Sequence, residues 1–256
     1  MEKYDAIIIG AGQAGMPLSM AMVQAGWKTA LVEGKHVGGT CINEGCTPTK
    51  TMVASAEVAE IARRTAEFGV LTGAVSIDMG RVKARKDEIV DSFRSGDVRR
   101  IKKAGVNLID GQARFSGPKT LEVRLNDGNA VRQLTSEMIL INTGGRPSIP
   151  RLAGLETVRF LDSTSIMDLE EVPDHLLVLG GGYVALEFGQ MFRRFGSQVT
   201  LVERSDQLLA QEDADVANAM LGILRCTFGG RKDNFCQTQR EHIGHSFTGR
   251  NRAFAC

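Results

Sequence analysis

The sequence predicts an α/β fold in which one unit of strand, glycine turn, helix and strand occurs twice. Three observations carry the reading. The β-type run 3–9 ("KYDAIII") is followed by "GAGQAG", by a helical stretch over 16–25, and by a second β-type run, "KTALVE", ending in Glu33. The same order returns in "HLLVLGGGYVALEFGQMFRRFGSQVTLVE", with a strand over 175–179, glycines at 180–182, a helix to about Phe195 and a strand ending in Glu203. From first glycine to closing glutamate the spacing is 23 residues in both copies, Gly10 to Glu33 and Gly180 to Glu203.

Between the two units, 51–68 and 81–103 read as helices, and 106–141 as a run of short strands with turns at "SGPK" and "NDGN". The second helix carries nine basic residues against four acidic ones. No aromatic residues alternate with those charges, as a platform for stacked bases needs, so they read as a solvated face. The segment 147–173 holds three prolines and reads as the linker between the halves.

Composition narrows the function classes. The 256 residues include 29 glycines, are 43% apolar and sum to a formal charge of +1. This excludes disorder and collagen-like repeats and gives no reason to expect nucleic acid or an anionic membrane as partner. The apolar stretch 6–26 is interrupted by Gly10, Gly12, Gly15 and Pro17, and no small-residue cleavage site follows it. It therefore reads as a core element rather than a leader or a membrane span, and the expected location is the cytoplasm.

Gly10, Gly12 and Gly15 lie between a strand and a helix, with an acid where the next strand ends. A bound dinucleotide needs this arrangement: a tight turn, close approach of backbone to pyrophosphate, helix-to-strand packing, and a carboxylate for the ribose hydroxyls. The second copy keeps Gly180 and Gly182 and places Ala185 at the third position. Its Glu203 suits a free ribose 2′-hydroxyl and repels a 2′-phosphate, which favours NAD(H) over NADP(H), although Arg204 beside it works the other way.

"VGGTCINEGCTPTK" holds Cys41 and Cys46 five positions apart at the expected start of a helix. In a regular helix that spacing separates Cα atoms by about 8.6 Å, beyond the ~7 Å reach of a disulfide. A bridge therefore needs a distorted first turn, for which Gly45 gives the latitude and Pro48 the tolerance. Thiols at a helix N-terminus are expected to have lowered pKa values. A redox pair is favoured over buried structural thiols or half of a zinc site, because nucleotide motifs flank the cysteines and no second ligand pair is near.

Together, "IIIGAGQAG", "GGTCINEGCTPTK", "INTGGRP" and "GGGYVALE" resemble, in order, the class I pyridine nucleotide-disulfide oxidoreductases of the glutathione reductase, dihydrolipoamide dehydrogenase and mercuric reductase type. The resemblance covers residues 1 to about 225. It implies two Rossmann-like units, FAD then NAD(P), the second incomplete: an FAD-binding domain over 1–150, a partial NAD(P)-binding domain over 151–225, and an aberrant, disordered tail over 226–256. By that resemblance Glu33 holds the ADP part of FAD, and Gly39, Thr40, Ala113, Thr143, Gly144, Gly145 and Arg146 line the rest. Cys41 is then the interchange thiol, Cys46 the thiol against the flavin, Lys50 the lysine near its reactive nitrogen, Glu187 that lysine's partner, and Tyr183 the gate of the nicotinamide pocket.

The implied chemistry carries electrons from NAD(P)H through FAD to a Cys41–Cys46 disulfide, then to a small disulfide, thiol-linked or metal-ion acceptor. The resemblance implies homodimers and a longer chain, with the domain expected to form the dimer interface lying beyond these residues. Two rival readings are a non-catalytic nucleotide-binding remnant and a thiol metal-binding protein using Cys226, Cys236, His242 and His245. The spacing of those four residues matches no usual zinc pattern, so no metal ligands are assigned.

Overall fold

A computed structural model describes residues 1–128, 130–227 and 252–255. The chain divides into two compact units, Met1–Thr49 with Lys86–Arg146, and Lys50–Arg85 with the chain from Pro147 onward.

In the first unit the opening β-type run splits into β1 (Glu2–Lys3) and β2 (Ala6–Ile9), which pair with different neighbours. Helix α1 (Gly15–Gln24) leads to β3 (Thr29–Glu33), parallel to β2, as a connection through a crossover helix requires. The short α2 (Gly39–Asn43) and the start of α3 (Cys46–Arg64) follow. After α4 (Met79–Lys103) come β4 (Asn107–Gly117), β5 (Thr120–Leu125), β6 (Val131–Thr135) and β7 (Met138–Ile141). These strands form one sheet in the order β1-β6-β5-β4-β3-β2-β7. Its β4-β3-β2-β7 part is parallel, and β4, β5 and β6 are antiparallel neighbours. Strands β2 and β3 are buried nearly throughout, as the unbroken apolar runs "AIII" and "ALV" demand of a sheet covered on both faces. Ile8, Leu31 and Met16 pack on one side of it with Ile101 of α4, while Ile7, Val32 and Ile109 pack in a second cluster.

The second unit contains β8 (Phe160–Leu161), β9 (His175–Leu179), α5 (Tyr183–Phe195), β10 (Gln198–Val202), α6 (Ala214–Thr227) and β11 (Arg252–Ala255). Its four strands are parallel in the order β10-β9-β11-β8. Met52 and Ala56 of α3 and Met79 are buried in one cluster with Ile166, Leu176 and Phe192. That burial, about 1.5–3 kcal/mol for a large side chain, ties 50–85 to this unit.

The observed grouping differs from a sequential division at residue 150, because a buried apolar face, not position along the chain, decides where a helix belongs. The reading of 147–173 as linker needs correction too. Residues 147–154 are exposed, but Leu155, Leu161, Ile166 and Met167 are buried. The tail expected to be aberrant from 226 falls mostly outside the described residues. At its end, Arg252–Ala255 forms a strand between β9 and β8, contrary to the expectation of a disordered tail there. No helix among the described residues is long and apolar enough to cross a membrane.

Candidate functional site

The first glycine turn closes by contacts that exclude side chains. Gly10 has φ +105°, and a Cβ there would stand 2.2 Å from the carbonyl oxygen of Asn142. This contact brings Asn142 and Thr143, directly after β7, against the turn, with the Thr143 amide 3.3 Å from the same point. Gly39, at φ +62°, approaches Gly12 so closely that a Cβ would sit 2.6 Å from the Gly12 Cα. The Gly38 amide donates to the Ala11 carbonyl at 2.8 Å, which fixes the loop before α2 to the turn. The turn is therefore bare backbone, the surface a pyrophosphate needs, and α1 begins directly after it at Gly15.

Glu33, at the end of β3, accepts the amides of Ala11 and Lys35 at 2.8 Å each. In the second unit Glu203 accepts the amides of Gly181 at 2.6 Å and Ser205 at 2.8 Å. Burial opposes charge on Glu203, but the Ser205 and Gly181 amides outweigh it and hold the carboxyl below its usual range. Gly180 has φ +110°, as Gly10 has in the first turn, and Gly182 caps α5.

Cys41 lies in the middle of α2, and Cys46 is the first residue of α3. The break expected in the helix is present at Glu44 and Gly45, where a Cβ on Gly45 would be 2.9 Å from the Thr40 carbonyl. Both residues are thiols in this structure, Cys41 half-buried and Cys46 exposed, rather than the bridged form the resemblance implies. The Cys46 side chain and backbone amide lie close enough to act on the ionisation of the Cys41 thiol. The expected lowering of thiol pKa values is corrected at Cys41. Burial pushes that thiol up, the Cys46 side chain pushes the same way, and the Cys46 amide offsets only part.

Lys50 lies four residues beyond Cys46 on α3, and its Nζ is ion-paired with Oε1 of Glu187 on α5. Glu187 and Tyr183 line a cavity of about 310 Å³ with Val53, Leu186, Met191 and Met220.

Residues 4–226 match the sequence profile of a family described as pyridine nucleotide-disulphide oxidoreductase. The chain belongs to this family. Among curated oxidoreductases of this kind it is 38% identical over 229 residues to the probable pyridine nucleotide-disulfide oxidoreductase RclA of Escherichia coli K12, spanning 88% of this chain and 48% of the relative. It is 37% identical over 222 residues to mercuric reductase of Bacillus cereus, spanning 86% and 34%. A solved Cu(II) complex of the HOCl-induced flavoprotein disulfide reductase RclA from Escherichia coli superposes with a TM-score of 0.81 at 33% identity, covering 100% of this chain and 56% of that one. The chain spans about half the length of these curated relatives or less.

The structure brings Gly10, Gly12, Gly15, Glu33, Gly39 and Thr143 around one turn. Thr40 follows Gly39 in α2, and Ala113 continues β4 next to Gln112, whose amide donates to the Gly34 carbonyl at 2.7 Å. Gly144 and Gly145 face open space, and Arg146 continues the exposed chain. Among the described residues no three His, Cys, Asp or Glu side chains are grouped to hold a metal. Cys236, His242 and His245 lie outside the described residues, as does the Cys226 side chain. Two residues escaped the sequence reading, Asn43 and Arg94. Asn43 sits inside "CINEGC", so its position was a signal, whereas Arg94 is 51 residues away and gave none.

Proposed function

We propose that this chain forms the electron-transfer core of an FAD-dependent, NAD(P)H-linked oxidoreductase, with Cys41 and Cys46 as its redox pair. The observation that carries this reading is the closeness of the two cysteines across the break between α2 and α3, where the Cys46 side chain and amide act on the Cys41 thiol. Bound FAD would supply two-electron transfer between a nicotinamide and the disulfide.

The residues present fit that group. The turn at Gly10 and Gly12 presents backbone where a Cβ would otherwise stand, and Glu33 places a carboxylate beside it for ribose hydroxyls. By the resemblance, Gly39, Thr40, Ala113 and residues 143–146 would line the rest of the group. In the second unit, Gly180, Gly182 and Glu203 hold the nicotinamide nucleotide. The carboxylate of Glu203, kept charged by two amides, favours NAD(H) by repelling a 2′-phosphate. Tyr183 and Glu187 shape the cavity for the nicotinamide, and the Lys50 ammonium stabilises negative charge developing near it.

The pair works by exchange. Two electrons and two protons convert the Cys41–Cys46 disulfide to two thiols. The Cys41 thiolate attacks one sulfur of an acceptor disulfide and releases one thiolate. Cys46 then attacks Cys41 in the mixed disulfide, releasing the second and restoring the bridge. A thiophilic metal ion is the alternative acceptor, supported by the names of the relatives that reduce mercury or were solved with Cu(II).

The test is the absorption spectrum of the purified chain before and after NADH, followed by NADH oxidation with a disulfide acceptor. A yellow protein bleached by NADH supports the proposal. A colourless protein that takes up no added FAD contradicts it and leaves the remnant reading.

A further inference from the structure

The side chain of Asn43, last residue of α2, points its Nδ2 at three backbone carbonyls, those of His36 at 3.4 Å and Val37 at 3.1 Å in the preceding loop and that of Gly39 at 2.9 Å at the start of α2. With carbonyls on that side, the amide oxygen must face the other way. Nε of Arg94, on α4, donates to it at 2.9 Å, while Nη1 of the same guanidinium donates to Oδ1 of Asp91 at 2.8 Å. Arg94 thus uses two edges of one rigid fork, a geometry lysine cannot copy.

Helix α2 has five residues and no side-chain cap on its first turn, so it does not hold itself. Left-handed Gly38 and Gly39 bound it on one side and the Glu44–Gly45 break on the other. Cys41 is its central residue. The chain of contacts from Asp91 through Arg94 and Asn43 to the carbonyls of His36, Val37 and Gly39 is therefore a latch on the element that carries Cys41.

We infer that Arg94 is a positioning residue for the Cys41–Cys46 pair, acting through Asn43. The inference rests on the reading of these cysteines as a redox pair. A latched dithiol has little freedom left to lose when the bridge closes, so the latch favours the disulfide. Without Arg94 the amide of Asn43 loses the donor that ties it to α4, α2 loosens, and the reduced pair spreads.

The test is equilibration of the full chain with glutathione, by the exchange of Cys41 and Cys46 thiols plus one glutathione disulfide for the Cys41–Cys46 bridge plus two glutathione thiols. Alkylation and mass spectrometry read the pair. Arg94→Ala should lower the oxidation constant about tenfold or more, the scale of one lost charged hydrogen bond, and speed alkylation of Cys41 in the reduced protein. Arg94→Lys, which keeps charge and length, should fall between wild type and alanine, and it keeps the test open if the alanine variant fails to fold. Arg99→Ala, an equal loss of charge on an exposed position of α4, should leave both readouts unchanged. Arg94 variants within twofold of wild type, or Arg99→Ala shifting as far as Arg94→Ala, would overturn the inference alone. A wild-type chain in which glutathione disulfide never bridges Cys41 to Cys46 would overturn the redox reading together with it.

Discussion

Glu33 and Glu203 make the same pair of hydrogen bonds in two separate glycine turns. Each accepts the amide of the residue one position after the first glycine and the amide two residues past itself, with all four distances between 2.6 and 2.8 Å. The equal 23-residue spacing in sequence thus has a structural cause, since the closing carboxylate must reach back to the start of its own turn. In the second unit this fixes a charge beside the turn, where the proposed function puts a ribose. Glu203→Ala should raise the KM for NADH about tenfold and narrow its preference over NADPH, measured by steady-state oxidation of each nucleotide. Equal losses with both nucleotides would contradict a discriminating role.

Lys50 is two-thirds exposed in its ion pair with Glu187, so the pair contributes little to folding. Lys50→Met is expected to cost less than about 1 kcal/mol in urea unfolding. The same substitution should slow flavin reduction by NADH tenfold or more, read by stopped flow. A variant that unfolds readily but reduces at the wild-type rate would reverse the assignment.

The Cys41 thiol is raised by burial and then by Cys46, so its reactive thiolate forms at higher pH than that of an ordinary cysteine. In the reduced chain, the rate of Cys41 alkylation should therefore rise through a midpoint above that of free cysteine. Cys46→Ser should bring the midpoint down only in part, because burial, the larger cause, remains. A wild-type midpoint at or below that of free cysteine would show that the sequence-based expectation of a lowered value was right after all.

Glu2 is held down from 4.5 to about 2, first by its hydrogen bond from Arg132, with Tyr4 adding a second. A carboxyl lowered on folding stabilises above its unfolded value, and that contribution is lost as pH falls from 4.5 toward 2. The pair is partly exposed, so the effect is that of a surface bridge. Arg132→Ala should flatten the acid limb of the stability profile over this window and leave stability differences between pH 6 and 8 unchanged.

Gly39 combines a left-handed backbone with a Cβ position 2.6 Å from Gly12, so Gly39→Ala meets strain and a backbone clash at once. The expected cost is on the order of 2 kcal/mol or more, with loss of flavin uptake. Gly26→Ala, also at positive φ but with open space around it, should cost less.

Much of the fold was legible because each unit repeats one pattern. The glycine turns, the helix to Phe195 and the strand over 175–179 follow directly from periodicity and punctuation. The contacts at Cys41, Cys46 and Glu33 fall in short segments where chemistry-bearing residues are concentrated, which is why sequence reading could propose them as a site. What was hidden depends on distant partners. Nothing local says that Met52 and Ala56 pack with Leu176 and Phe192, or that the opening run splits at Tyr4 and Asp5 because β1 and β2 pair with different strands. The Asn43–Arg94 contact was hidden for the same reason, since two polar residues 51 positions apart carry no pattern.

The most direct measurement counts thiols on anaerobic titration of the oxidised chain with NADH, with and without added FAD, by alkylation and mass spectrometry. Paired labelling of Cys41 and Cys46, one pair for each NADH consumed and only with FAD present, is the expected result. Labelling that ignores FAD, or that leaves these two sulfurs unchanged while the flavin is reduced, would contradict the account.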